Sequence, residues 1–486
     1  MDLKKLKHAK PLYGTDLCIR ETKLSKIVFC THFFDNLPFV MKRESFGGKF
    51  AVLVAMVGSA VGLGNLWRFP YLVGRNGGAA FIIVYLVIAL IICLPIMLSE
   101  EIIGRRSESN VYGAFSKLAP KSKWNIVGII CLITPILIMS FYCVVGGWII
   151  YYLMQSCTFH LVHGGATDPD MFGKLATRTW TPMIYAFIFL LLTGFIISRG
   201  VQKGIEKYSK FLMPLLFFCT LGIAIYSMTL PGSSEGLRFL FKPDFSKLSL
   251  NAIFEALGQA FFSLSLGSGL VITYSSYIKK NESLVYTAFS TSIMDTIFAL
   301  LAGMAIMPAV FAFGMEPSQG PSLIFITIPL IFAKMTTGPI VAVIFFFVVF
   351  VAAITSSISL LEIVTSFACD QYRWSRKKAV IIITSLVVLP LMVICSLSTG
   401  VLSNFTIFGK NIFDLFDYVS ANVCMILCAL AFVIFVGWKL KYESVEDELS
   451  NHGSLRISPA LIKTLFFLIK WVAPIAITAI IAMNFM

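Results

Sequence analysis

Residues 58–65 read Gly58-Ser59-Ala60-Val61-Gly62-Leu63-Gly64-Asn65, a glycine cluster near the middle of an apolar segment long enough to cross a membrane. A second cluster, Ser263-Leu264-Ser265-Leu266-Gly267-Ser268-Gly269, lies near the middle of a later apolar segment. Glycine in a helix interior costs roughly 1 kcal/mol relative to alanine. Small residues also let helices pack closely in membranes, but glycines at 58, 62 and 64 are more than packing needs. Both helices are therefore expected to unwind at mid-membrane. Unwound backbone at that depth is tolerated only where it lines a protected cavity. Interrupted helices at matching positions of two halves place the expected binding site at a pseudo-twofold axis.

Composition agrees. Of the 486 residues 58% are hydrophobic and 13% charged, against about 25% charged in a soluble domain, and mean hydropathy is +0.86. A disordered chain, a soluble globule and a disulfide scaffold are excluded. The histidines (His8, His32, His160, His163 and His452) all lie outside long apolar runs, and the cysteines form no CxxC pair. Neither a phosphate-binding GxxxxGK[ST] loop nor a GxSxG elbow is present. The chain reads as no enzyme. The net charge of +14 suits cytoplasmic loops of a membrane protein rather than nucleic acid.

A span needs roughly 20 apolar residues. Eleven are read, at about 48–71, 79–101, 126–155, 180–198, 206–231, 250–279, 286–314, 336–369, 378–398, 408–439 and 459–484. They form one transporter domain over 41–485, with a first repeat at 48–231, a second at 250–439 and an extra helix at 459–484. Loops rich in Lys and Arg (Arg105 to Lys123, Arg199 to Lys210, Lys279 and Lys280, Arg373 to Lys378, Lys439 and Lys441) fall on the side of the N-terminus. That end is expected in the cytoplasm, and the C-terminus outside. Residues 1–40 are basic, with Pro11 and Pro38, and read as a disordered extension or an upstream start codon before Met41. The stretch 316–335, broken by Pro317, Pro321 and Pro329, reads as a re-entrant or lid helix.

Unwinding exposes N–H groups that suit a carboxylate and carbonyls that suit cations. A zwitterion with small hard cations satisfies both. Asn65, Ser263, Asp295, Thr355 and Ser356 add oxygen ligands at compatible depth. Asp295 lies in an apolar run, where a charge costs at least ~2.5–3.5 kcal/mol.

At these residues the sequence resembles a known family. AVGLGNLWRFPYLVGRNGGAAF (60–81) is similar to the first-helix signature of the sodium:neurotransmitter symporter family. FFSLSLGSGLVITYSSY (261–277) and TSSISLLE (355–362) add matches in the same order. The resemblance runs from about Arg43 to at least Asp417. It implies an all-α polytopic protein of the LeuT-type 5+5 inverted repeat, with helices 1 and 6 broken. The rule on interrupted repeats draws on this family, so the agreement is not independent.

The resemblance implies sodium-coupled uptake by alternating access on two Na+ sites. The first maps onto the Ala60 carbonyl, Asn65, Ser263 and Asp295, with the substrate carboxylate. The second maps onto the carbonyls of Gly58, Val61 and Ala352 and the hydroxyls of Thr355 and Ser356. The substrate carboxylate would meet the N–H groups of Leu63 and Gly64 and the Tyr142 hydroxyl. Its amine would meet the carbonyls of Phe262 and Ser263, near Ser265. Ile138, Phe141, Phe262, Ser268 and Leu360 would form the walls. Arg68 would face Asp417 across the outer vestibule with Phe262 as a lid, and Arg43 would face Asp370 at the inner gate. Glu100 would tie down the unwound part of the sixth span.

Three departures carry expectations. Asp295 stands where many relatives carry Asn; a fixed carboxylate there predicts chloride independence, and it could carry a proton back. Gly62 stands where monoamine carriers place an aspartate, so an α-amino acid is expected. Ser268 replaces a bulky aromatic, which widens the pocket for a hydrophobic or aromatic side chain. The implied partners are that amino acid and the lipid bilayer, in a prokaryotic plasma membrane; oligomeric state is open. The competing readings are a membrane sensor that binds an amino acid without moving it, and a proton-coupled permease of the same fold.

Overall fold

The computed structural model describes residues 44–315, 323–451, 453–455 and 457–484. The expectations for residues 1–40 and for Arg43 fall outside them. The described chain is helical, with only two isolated bridges, at His163 with Ala166 and Ile407 with Lys410. The elements that matter here are α1 Lys49–Ala60, α2 Gly64–Arg75, α3 Ala79–Ser107, α4 Asn125–Cys157, α5 Trp180–Ser198 and α6 Val201–Met228. They continue with α7 Leu250–Ser263, α8 Leu270–Ser275, α9 Leu284–Ala312, α10 Leu323–Lys334 and α11 Gly338–Tyr372. The last are α12 Arg376–Ser398, α13 Ile412–Lys439, α14 Tyr442–Ser450 and α15 Pro459–Ala482.

Among the described residues, 9 helices are long and apolar enough to cross a membrane. The pair α1 and α2, bent by 51°, passes the same test of length and composition when taken together, which brings the number up to 10. The remaining apolar segment, 250–279, is divided between α7 and α8, so neither piece spans alone. Large apolar side chains such as Phe211, Phe218, Leu386 and Ile475 are exposed around the bundle. Water would not tolerate such a surface, and lipid does. The long helices α4 and α11 pack against each other through the centre.

The first break begins where Val61 turns extended, at φ −69° and ψ 110°. Gly62 N–H donates to Asn65 Oδ1 (3.0 Å), so the Gly58 carbonyl loses the donor that a continuous helix would give it. The second break runs from Leu264 to Gly269, with positive φ at Ser265 (53°), Gly267 (79°) and Gly269 (79°). Glycine adopts that conformation without penalty. A Cβ on Gly267 would stand 1.9 Å from the Met425 carbonyl oxygen. The freed backbone groups find side chains: Glu100 Oε1 accepts from Gly267 N–H (2.7 Å), and Ser268 Oγ accepts from Leu270 N–H (3.3 Å). The two breaks touch, since Ser265 Oγ donates to the Ser59 carbonyl (3.2 Å).

Two peripheral elements are positioned by polar contacts. The described part of the segment expected as a lid is α10, held by Tyr152 OH donating to the Phe325 carbonyl (2.9 Å) and by the stacked rings of Phe325 and Phe172 (5.0 Å). At the other end, α14 docks on Arg105, a residue counted above with the loop charges but in fact 1% exposed. Arg105 Nε meets Glu448 Oε2 at 2.8 Å, its Nη1 donates to the Glu282 carbonyl at 2.6 Å, and its Nη2 donates to the Glu448 carbonyl.

Candidate functional site

The two breaks enclose a cavity of about 50 Å³, room for about one or two waters. Of the expected residues, Ala60, Gly62, Leu63, Gly64, Ile138, Tyr142, Phe262, Ser263, Ser265, Ser268, Ser356 and Leu360 line it. Phe141 does not; its ring turns to Phe413, 5.5 Å away. Ser59, Leu270 and Met425 also line the cavity and were missed by sequence reasoning.

Asp295 is fully buried on α9 and accepts three kinds of neutral donor. Asn65 Nδ2 lies 2.8 Å from Oδ1, Ser263 Oγ 2.9 Å from Oδ2, and Tyr85 OH 3.2 Å from Oδ2. An isolated buried carboxylate is costly unless paired, and no ion pair to Asp295 occurs among the described residues. Asn65, Ser263 and Asp295 thus gather side-chain oxygens around one buried carboxyl group at the first break. Tyr85 gave no signal in the sequence. Gln259 did, lying one helical turn before Ser263; its Nε2 donates to the Gly64 carbonyl (2.9 Å).

On the other side of the first break, α11 brings Thr355 and Ser356 close. Thr355 Oγ1 donates to the carbonyls of Val351 and Ala352 (both 3.0 Å), and Ser356 Oγ to Ala352 (3.2 Å). A Cβ on Gly62 would stand 2.4 Å from Ser356 Oγ, so only glycine permits this approach. The buried Tyr142 hydroxyl faces the Leu63 N–H and Ser356 without a full hydrogen bond to either.

Outside the cavity lies a vestibule of about 250 Å³ that Arg68, Glu255, Asn422 and Ile480 help to line. Phe262 and Met425 line both spaces and stand between them. The Arg68 guanidinium lies over the Phe262 ring, 5.2 Å from its centroid. Asp417 and Glu255 act on Arg68 electrostatically, but among the described residues Arg68 and Asp417 form no direct ion pair. On the opposite side, the Asp370 carboxylate accepts from Asn110 N–H and Nδ2 (both 3.1 Å).

Two broken helices closing on a small cavity inside a lipid-facing bundle define a secondary transporter. The chain matches the sodium:neurotransmitter symporter family over residues 43–169 and 170–486, and it belongs to that family. It is 37% identical over 454 residues to an uncharacterized sodium-dependent transporter of Haemophilus influenzae, covering 91% of this chain and 98% of that one. It is 36% identical over 439 residues to the sodium-dependent transporter YhdH of Bacillus subtilis, covering 90% and 96%. The crystal structure of MhsT in complex with L-phenylalanine superposes with a TM-score of 0.82 at 40% identity, covering 91% of this chain and 99% of that one. The fold is therefore LeuT-type, and the protein is a multi-pass, sodium-dependent transporter of a small molecule rather than an enzyme.

Proposed function

We propose that the protein couples two sodium ions to the uptake of a neutral, hydrophobic or aromatic α-amino acid, independently of chloride. The observation that carries the reading is Asp295, a buried carboxylate next to Asn65, Ser263 and the first break. It supplies the negative charge that chloride would otherwise bring. One sodium ion binds among Ala60, Asn65, Ser263 and Asp295, and the other among Gly58, Val61, Ala352, Thr355 and Ser356. The substrate carboxylate meets the N–H groups of Leu63 and Gly64 and the Tyr142 hydroxyl. Gly62 leaves no acid for a carboxylate-free amine, and the structure of MhsT with L-phenylalanine supports an aromatic side chain. In a cavity of about 50 Å³ such a side chain requires Phe262 or Met425 to move aside. Arg68, Phe262 and Asp417 gate the outer side, Arg43 and Asp370 the inner side, and Glu100 holds the second break. The N-terminus faces the cytoplasm and the C-terminus the outside of the plasma membrane.

Purified protein in proteoliposomes tests this. Labelled amino acids are offered under an inward sodium gradient, then with potassium for sodium and gluconate for chloride. Accumulation that needs sodium and ignores the anion supports the proposal. Binding without accumulation makes the protein a sensor. Accumulation indifferent to sodium overturns the cation sites, and loss in gluconate overturns the role of Asp295.

A further inference from the structure

Where α13 ends, its last turn and the middle of α15 form an outward-facing groove of about 620 Å³, lined in part by Ile434, Trp438, Lys470, Trp471, Pro474 and Ile475. The helices meet closely: a Cβ on Gly437 would stand 2.9 Å from Lys470 Cα, and Trp438 Nε1 donates to the Lys470 carbonyl (3.2 Å). The Lys470 ammonium lies 5.1 Å from the Trp438 ring centroid, 5.7 Å from Phe466 and 5.9 Å from Trp471. Among the described residues no carboxylate forms an ion pair with it. Trp438 is 56% exposed and Ile475 68%.

The groove lies at a membrane boundary. Beyond Gly437, α13 ends at Lys439, and Lys441 follows; both are exposed. On the same side Tyr442 of α14 meets Phe466, one turn before Lys470 (5.1 Å). Lys463, two turns before Lys470, shares its face by the helical period and is exposed. Of the acids of α14, Glu448 is engaged by Arg105 and Asp447 by Arg106 at 3.9 Å; Glu443 and Glu446 lie near Tyr442, and among the described residues neither forms an ion pair with Lys470. Tryptophan at an interface and a lysine reaching towards it are each ordinary. Here they are combined: a cation held among three rings, without an acidic partner, opens onto an apolar groove.

We propose that this groove binds an anionic phospholipid. An acyl chain lies along Pro474 and Ile475, and the headgroup phosphate meets the Lys470 ammonium, with Lys439, Lys441 and Lys463 adding positive potential around it. The full chain, purified in mild detergent, is titrated with brominated phosphatidylglycerol or brominated phosphatidylcholine. The read-out is the tryptophan quenching lost in a Trp438→Phe, Trp471→Phe variant. Phosphatidylglycerol should half-quench at about fivefold lower concentration, the effect of one lysine near a headgroup. Lys470→Gln should weaken that preference about fivefold, Lys470→Arg should retain it, and high salt should weaken it in the unaltered protein. The last two arms hold even if Lys470→Gln fails to fold. Equal quenching by both lipids overturns the proposal. So does displacement of the lipid by free glycerol phosphate at like concentration, which would make this an anion site alone. Dimers cross-linked through Ile475→Cys, with no quenching, would assign the groove to a second copy and overturn it as well.

Discussion

Replacing Asp295 with asparagine isolates charge from shape. Asn65 Nδ2 and Ser263 Oγ lie 2.8 Å and 2.9 Å from the carboxylate oxygens. The new amide oxygen accepts from these two, and the Tyr85 hydroxyl can rotate to accept from the new NH2 group. The fold should then lose about 1 kcal/mol, the worth of one hydrogen bond. A cation held among Asn65, Ser263 and Asp295, with oxygen ligands at about 2.4 Å, would stand no more than about 4 Å from the carboxylate. At an effective dielectric near 20, that attraction is worth about 4 kcal/mol. Part of it is kept by the amide dipole, so the half-saturating sodium concentration should rise about 100- to 1,000-fold. The assay is sodium-dependent uptake of the substrate found in the panel, in proteoliposomes with gluconate as the anion. Chloride should recover part of the loss in the variant and do nothing for the parent. A folded variant whose sodium requirement in gluconate stays within about threefold of the parent would refute the electrostatic argument.

Gly267→Ala should disrupt transport and lower the melting temperature, because its Cβ meets the Met425 carbonyl at 1.9 Å in a left-handed conformation; unaltered melting would mean the second break is looser than described. Gly62→Ala should destabilise through contact with Ser356 Oγ at 2.4 Å, and adding Ser356→Ala should recover stability by about 0.5–3 kcal/mol of coupling; strict additivity of the two melting shifts would remove that contact from the account. Arg105→Ala strands Glu448 and two carbonyls and should cost about 3–5 kcal/mol, read as earlier proteolysis at 440–458; unchanged cleavage would show that α14 docks without it.

The breaks were legible because glycine is an expensive residue inside a helix, and clusters of it in two long apolar runs have few other uses. The oxygen-bearing side chains near them were legible for a related reason: Asn65, Ser263, Asp295 and Thr355 are costly in lipid unless they have work there. Residues that reach the cavity from afar left no mark. Met425 looks like any apolar residue of its span, and Tyr85 serves Asp295 across 210 positions. Phe141, expected in the wall, does not line this cavity. It sits one residue before Tyr142 on the same helix, but a helix turns about 100° per residue, and its ring goes to Phe413. Arg105 misled as a loop charge because its partner Glu448 lies 343 residues later.

Met425 bears on two things at once. Its carbonyl presses against the α-carbon of Gly267, and its side chain divides the cavity from the vestibule. α13 therefore ties the partition between the two spaces to the turn that Glu100 holds, so any displacement of α13 at Met425 would be felt by both.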